Sequence, residues 1–314
     1  FERSGRRPEG SSMLYGMIDI GSNTVRMAIY RIEGTHVEML MKKKHTVGLA
    51  AYLKDGVMQQ QGIDKAVEIL KEFRAFLLAF NITHVVAFTT AALRNAKNSA
   101  AAVGEIERRT GLPIRVITGD EEATYDFIGA THDLSEDAGL LIDIGGASTE
   151  IVSYSAGKIE QKISLSIGSL AFRTKYVHGM LPTKAECEAM REEAEATLGA
   201  ATAVADVREA SIAGIGGTFK GAAALYNALY EQPFDNVKME AARLKALIER
   251  FTDEHGINEA MTAMLMKTVP DRIHTVIPGL IIAEVLAARF HCKEITYSDS
   301  GVREGYIYLE VLNK

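Results

Sequence analysis

Ile18-Asp19-Ile20-Gly21-Ser22-Asn23-Thr24 returns, in altered form, as Ile142-Asp143-Ile144-Gly145-Gly146-Ala147-Ser148-Thr149. Each copy is an apolar run that closes on a carboxylate. A glycine and small hydroxyl residues follow, and then a β-favouring run, Val25 to Tyr30 in the first copy and Glu150 to Tyr154 in the second. Such a turn directs several backbone N–H groups into one concavity that takes up phosphate, while the aspartate can hold a metal ion or its water. One copy alone reads as an ordinary hairpin turn. Two copies about 120 residues apart, with strand, Asp, Gly and Thr in the same order, predict two similar domains that face each other across a cleft and clamp a chain of phosphates.

At 314 residues the chain is longer than one core supports, which agrees with two lobes. A hydrophobic fraction of 47%, 24% charged residues and no apolar run of spanning length predict a soluble globular protein with no membrane partner. The formal net charge of −6 argues against a nucleic-acid partner. Lys42-Lys43-Lys44-His45, the densest basic run, reads as a solvated strand face with a weak pull on polyanions. Cys187 and Cys292 lack metal-binding or disulfide spacing and are expected to be reduced thiols in a cytoplasm. Phe1 to Ser12 is polar and rich in Arg and Gly, so it reads as a disordered leader or expression remnant outside the fold.

Hydrophobic periodicity predicts three antiparallel strands over Tyr15 to Val47 and a helix over Ile63 to Phe80. A strand at His84 to Phe88, a helix at Ser99 to Thr110, a strand at Ile114 to Ile117 and a helix from Glu121 follow. After Leu140 the pattern restarts with a hairpin, then helices near Gly168 to Val177 and Lys184 to Val204, a strand at Ser211 to Ala213 and a helix from Thr218. The last third is mostly helical, with a strand at Glu294 to Tyr297. The expected domains are 13–133 and 134–314, with the final helix free to pack on the first. This is α/β architecture, with binding turns at the carboxyl ends of strands.

Five further segments carry a resemblance: Thr89-Thr90-Ala91-Ala92-Leu93-Arg94-Asn95-Ala96, Ile117-Thr118-Gly119-Asp120-Glu121-Glu122-Ala123, Gly214-Ile215-Gly216-Gly217-Thr218, Ile277-Pro278-Gly279 and Ser298-Asp299-Ser300-Gly301-Val302-Arg303-Glu304-Gly305. With the two Asp-Ile-Gly turns they make the chain similar, from about Tyr15 to Tyr308, to the exopolyphosphatase/guanosine pentaphosphate phosphohydrolase (Ppx/GppA) family in its short two-domain form. That family is a branch of the actin-like superfamily of acetate and sugar kinases, chaperones and actin. The resemblance implies an α/β fold of two actin-like (ribonuclease H-like) domains with an interdomain cleft. It also implies Mg2+-assisted removal of the terminal phosphate of polyphosphate as orthophosphate. A homodimer is compatible with it. The chain departs from the family at Ala147, where a third glycine is usual, and at Gly48-Leu49, where relatives carry an Arg-Leu pair.

Hydrolysis of a terminal phosphoanhydride needs an in-line water, a group to orient or deprotonate it, and positive charge on the equatorial oxygens. Glu122, at the start of a helix, is the candidate base, the role that the resemblance also gives it. Asp120-Glu121-Glu122 equally suits a helix N-terminus, and Glu121 is expected to face solvent or to support the helix end. Asp143 is the candidate metal ligand, with Glu150 and Asp19 as helpers. Gly21, Ser22, Asn23, Thr24, Gly145, Gly146, Ala147, Ser148 and Thr149 are candidate phosphate donors. Arg94 is the candidate guanidinium, with Arg26 a lesser one. Gly214, Gly216, Gly217, Thr218 and Lys220 form a candidate nucleotide or phosphate turn, for which a close-packed structural turn is the equal alternative.

Two other functions stay open. Guanosine pentaphosphate offers an equivalent reacting bond at its 5′ end, and a non-catalytic sensor would bind polyphosphate or a nucleotide without turnover. A kinase is disfavoured because Glu122 in a Gly-x-Glu-Glu-Ala setting points to water as the acceptor.

Overall fold

The computed structural model describes residues 12–21, 24–132, 134, 136–146, 148–204, 207, 210–252 and 257–313, apart from the side chains of Ala50 and Ala91. Ser22, Asn23 and Ala147, three of the candidate phosphate donors, lie outside the described residues, as does all of the expected leader except Ser12. Ser12 belongs to the fold, because it opens a strand and pairs with Glu33.

The chain divides into two units, residues 1–126 with 302–314, and residues 127–301. The division falls inside the helix Gly119–Thr131 and not at the expected 133/134. Side-chain packing explains the shift. Tyr125 joins a cluster with Phe88, Ile117 and Ile307, whereas Phe127 and Ala130 pack with Leu141, Val152, Tyr154 and Ala213. The return of the C-terminal segment is fixed at Gly305, where a Cβ would stand 1.8 Å from the carbonyl oxygen of Tyr125. Only glycine permits that approach.

In the first unit a five-stranded sheet runs in the order His36–Thr46, Thr24–Glu33, Ser12–Ile20, His84–Thr89, Ile114–Val116. The first three strands form an antiparallel meander, and the last two lie parallel to Ser12–Ile20 and to each other. The helix Gln60–Ala79 buries Ile63, Ala66, Val67, Leu70, Phe73 and Leu77, a stripe at helical spacing, against one face of this sheet.

The second unit repeats the plan in a six-stranded sheet ordered Lys158–Leu165, Thr149–Ser155, Gly139–Ile144, Ile212–Ile215, Glu294–Tyr297, Lys238–Glu240. Again a meander is followed by strands parallel to its first member. The short antiparallel edge strand Lys238–Glu240 is an addition that the sequence reading lacks. The helix Val276–Arg289 is buried along nearly its whole length in this unit's core, which explains its unbroken apolar sequence. Among the described residues no helix is long and apolar enough to cross a membrane.

Candidate active site

Both repeated turns are built alike. The Gly21 N–H donates to Thr24 O at 3.0 Å, and the Gly145 N–H donates to Ser148 O at 2.9 Å. A threonine hydroxyl ties down the isoleucine that ends each Asp strand: Thr89 Oγ1, at the end of the neighbouring parallel strand, to Ile20 O at 3.1 Å, and Thr218 Oγ1, in the helix that follows the neighbouring parallel strand, to Ile144 O at 2.7 Å. The duplication read in the sequence is therefore a duplication of hydrogen bonds.

The charges opposite the two aspartates differ. Asp19 is register partner to Arg26, whose Nη1 lies 3.8 Å from Asp19 Oδ2. Burial pushes the Asp19 carboxyl up, against the pull of Arg303 and then Arg26. Asp143 instead faces Glu150. Burial first, and the Glu150 charge second, push Asp143 up to about 6. Two carboxylates thus share the second turn, while the first pairs its carboxylate with guanidinium groups.

Among the described residues no three His, Cys, Asp or Glu side chains gather into a cage. Magnesium keeps several waters and uses one or two carboxylates with substrate oxygens, so the Asp143 and Glu150 pair suits it. Asp19, expected as the second helper beside Glu150, has arginine neighbours in place of a second carboxylate.

In the first unit the helix Gly119–Thr131 starts with a capping box. Thr118 Oγ1 accepts from the Glu121 N–H at 3.1 Å, and Glu121 Oε2 accepts from the Thr118 N–H at 2.8 Å. Arg115 Nη2 also donates to Glu121 Oε1 at 2.6 Å, and these bonds hold the Glu121 carboxyl below the usual range, the Thr118 N–H contributing most. Glu121 is spent on the helix end, as expected of it. Its neighbour is then turned elsewhere: Glu122 Oε2 accepts from Arg94 Nη1 at 2.7 Å, with the two side chains 30% and 21% exposed. Arg94 Nη1 also donates to Ile117 O at 3.1 Å, which fixes the guanidinium at the carboxyl edge of the parallel strands. Among the described residues Arg94 Nη2 makes no hydrogen bond, so a phosphoryl oxygen can be met beside the candidate base.

Several candidates hold the turns from behind. Thr149 is fully buried and its hydroxyl donates to Ile167 O at 2.8 Å, which corrects the expectation that this side chain meets phosphate. Thr218 is likewise buried and committed to Ile144 O. Ser148 Oγ and Ser164 Oγ donate to Glu150 Oε1 at 2.6 and 3.0 Å and orient that carboxylate. The Ser169 N–H bonds Gly145 O, while the N–H groups of Leu170 and Ala171 bond Gly146 O. These bonds hold the carbonyls of Gly145 and Gly146 at the start of the helix Ser169–Tyr176.

The Gly214-to-Thr218 segment is closely packed. Gly216, at φ +83°, lies so near Asp143 that a Cβ would stand 2.4 Å from Oδ1. A Cβ on Gly217 would stand 2.0 Å from the Arg272 guanidinium. Lys220 is exposed one turn on. The segment's first service is to seat Asp143 and Arg272.

Arg303 was missed from the sequence. It faces Asp19, Tyr30 and Glu304, and among the described residues its Nε and Nη1 have no hydrogen-bond partner. It lies 284 positions from Asp19, so no local spacing announces it; only the Ser298-to-Gly305 motif marked the segment.

Comparison with known proteins agrees with these observations. The model of the Ppx/GppA phosphatase family matches residues 28–314. A Haemophilus influenzae protein named "Putative exopolyphosphatase" is 29% identical over 294 residues, covering 93% of this chain and 89% of that protein. The crystal structure of the Aquifex aeolicus member of the Ppx/GppA family superposes with a TM-score of 0.80 at 26% identity, covering 96% of this chain and 99% of that one. An exopolyphosphatase structure from Cytophaga hutchinsonii, at 22% identity, shares the fold with a TM-score of 0.72 over 94% of this chain and 97% of its own. A duplicated α/β plan, two equivalent turns and a family match over most of its length make this chain a member of the Ppx/GppA phosphatase family.

Proposed function

We propose that the protein removes the terminal phosphate of inorganic polyphosphate as orthophosphate. The observation that carries the reading is the Arg94 and Glu122 pair, a carboxylate held 2.7 Å from a guanidinium that keeps a free edge. Glu122 orients the attacking water and accepts its proton, while Arg94 Nη2 meets an equatorial oxygen of the same phosphoryl group. Magnesium, held by Asp143 and Glu150, would supply charge neutralisation on the phosphoryl oxygens. Ser148 and Ser164 fix the Glu150 carboxylate, and the N–H groups of the two turns position the phosphates.

Guanosine pentaphosphate is the second reading, since its terminal bond is the same. The observation in favour of the polymer is Arg272, which packs against Gly217 at the turn where actin-like ATPases meet adenosine. Orthophosphate release from short polyphosphate, long polyphosphate and guanosine pentaphosphate, followed in parallel with magnesium, tests the reading. Release from polyphosphate above that from guanosine pentaphosphate is expected. Tight binding of all three without release would identify a sensor and contradict it.

A further inference from the structure

The basic run Lys42-Lys43-Lys44-His45 is divided by its strand into two faces with different surroundings. Lys43 and His45 face the helix Gln60–Ala79: Lys43 pairs with Glu72, His45 Nε2 lies 3.3 Å from the same carboxylate, and the His45 ring lies 5.6 Å from Phe73. Lys42 and Lys44 face the other way. The register sets Lys44 beside Arg26, and Arg26 beside Asp19; Lys42 stands beside Ala28 in the next row. Both lysines are exposed, Arg26 is 42% exposed, and among the described residues Lys44 makes no ion pair.

The row therefore runs from the first turn outward as Asp19, Arg26, Lys44, with Lys42 two residues further along the strand. With strands about 4.8 Å apart and residues about 3.3 Å apart, it extends roughly 10 Å across the sheet and roughly 7 Å along its edge. The equivalent row of the second unit is Asp143, Glu150, Ser164. An acid and a serine stand there where the first unit has an arginine and a lysine. The same architecture thus carries acceptors for a cation in one unit and a file of cations in the other.

We propose that the sheet face bearing Arg26, Lys44 and Lys42 is a distal track for a linear polyphosphate, taking the phosphates that follow the one seated at the first turn. This rests on the reading of that turn as a phosphate seat. A chain of evenly spaced anions fits a file of cations, and neutralising it releases counterions, which makes binding salt-dependent. The short substrates that end at the turn do not reach Lys42.

The test compares the parent with Lys42→Gln/Lys44→Gln, with Lys44→Gln alone, and with Lys43→Gln, which matches that single variant in charge but lies on the opposite face. Binding of long-chain polyphosphate and of tripolyphosphate is measured over a salt series, with melting curves to show that each variant folds. The double variant is expected to lose on the order of tenfold in long-chain affinity, and its slope of log K against log salt should be shallower by about 1.4, taking about 0.7 per cation as on single strands. Tripolyphosphate binding should be unchanged, and Lys43→Gln should change neither. Unaltered long-chain affinity in the double variant would overturn the proposal, as would an equal loss in Lys43→Gln or displacement by duplex DNA with equal affinity. Absence of orthophosphate release with the face-specific loss of binding intact would overturn the hydrolase reading and leave the track standing.

Discussion

Asp143 faces Glu150 across its hairpin at the register position where Asp19 faces Arg26. Seven residues separate the partners in each case, so one backbone plan presents like charges in one unit and opposite charges in the other. Like charges persist at a buried position only where a cation joins them or a proton is taken up.

Asp143→Asn should therefore stabilise the metal-free protein at neutral pH. A carboxyl whose folded pKa is raised from 3.8 to about 6 contributes stability below the unfolded value and loses it as pH rises between the two. At pH 7 that loss is complete, and its removal is expected to raise unfolding stability by on the order of 2–3 kcal/mol. With magnesium held as proposed, the parent is expected to gain stability from the ion and the same substitution to abolish that gain. Denaturant melts with and without magnesium check both; a less stable metal-free variant would contradict the pairing.

Arg94→Lys removes a fork that holds Glu122 and Ile117 O and that, in the proposed function, also meets an incoming oxygen. A lysine is a point charge and cannot hold all three. Turnover is expected to fall about 10- to 100-fold with the melting temperature nearly unchanged, as measured by steady-state phosphate release. Retention of parental kcat would show that the fork is not used.

Gly216→Ala should cost stability and metal binding together. The new Cβ meets Asp143 Oδ1 at 2.4 Å, and the residue stands at φ +83°, so strain of about 1–3 kcal/mol is expected and the carboxylate is displaced. Calorimetric magnesium titration and thermal melts report the two effects separately. A variant with parental values in both would show that the turn does not seat Asp143.

Local chemistry was legible in the sequence. The repeated Asp-Ile-Gly turns, the three-stranded meander of the first unit, the hairpin of the second and the long amphipathic helices came from spacing alone, because periodicity and turn residues act within a few positions. Glu121 and Glu122 were not separable in the sequence, since either carboxylate suits a helix N-terminus; the capping box of Thr118 with Glu121 is what distinguishes them. What escaped depended on distance along the chain. Arg303 beside Asp19, Gly216 beside Asp143 and the return of residues 302–314 to the first unit are tertiary relations with no local signature. Thr149 and Thr218 read as phosphate donors because a hydroxyl beside a glycine turn looks the same whether it points to ligand or to a buried carbonyl.

The central claim is that Glu122, held by Arg94, activates water. Orthophosphate release from polyphosphate with magnesium, compared between the parent and Glu122→Gln, tests it most directly. A neutral isostere keeps the shape and cannot take a proton, so release should fall by roughly 10²- to 10⁴-fold while polyphosphate binding persists. Release within a few-fold of the parent would contradict the account and move the base elsewhere.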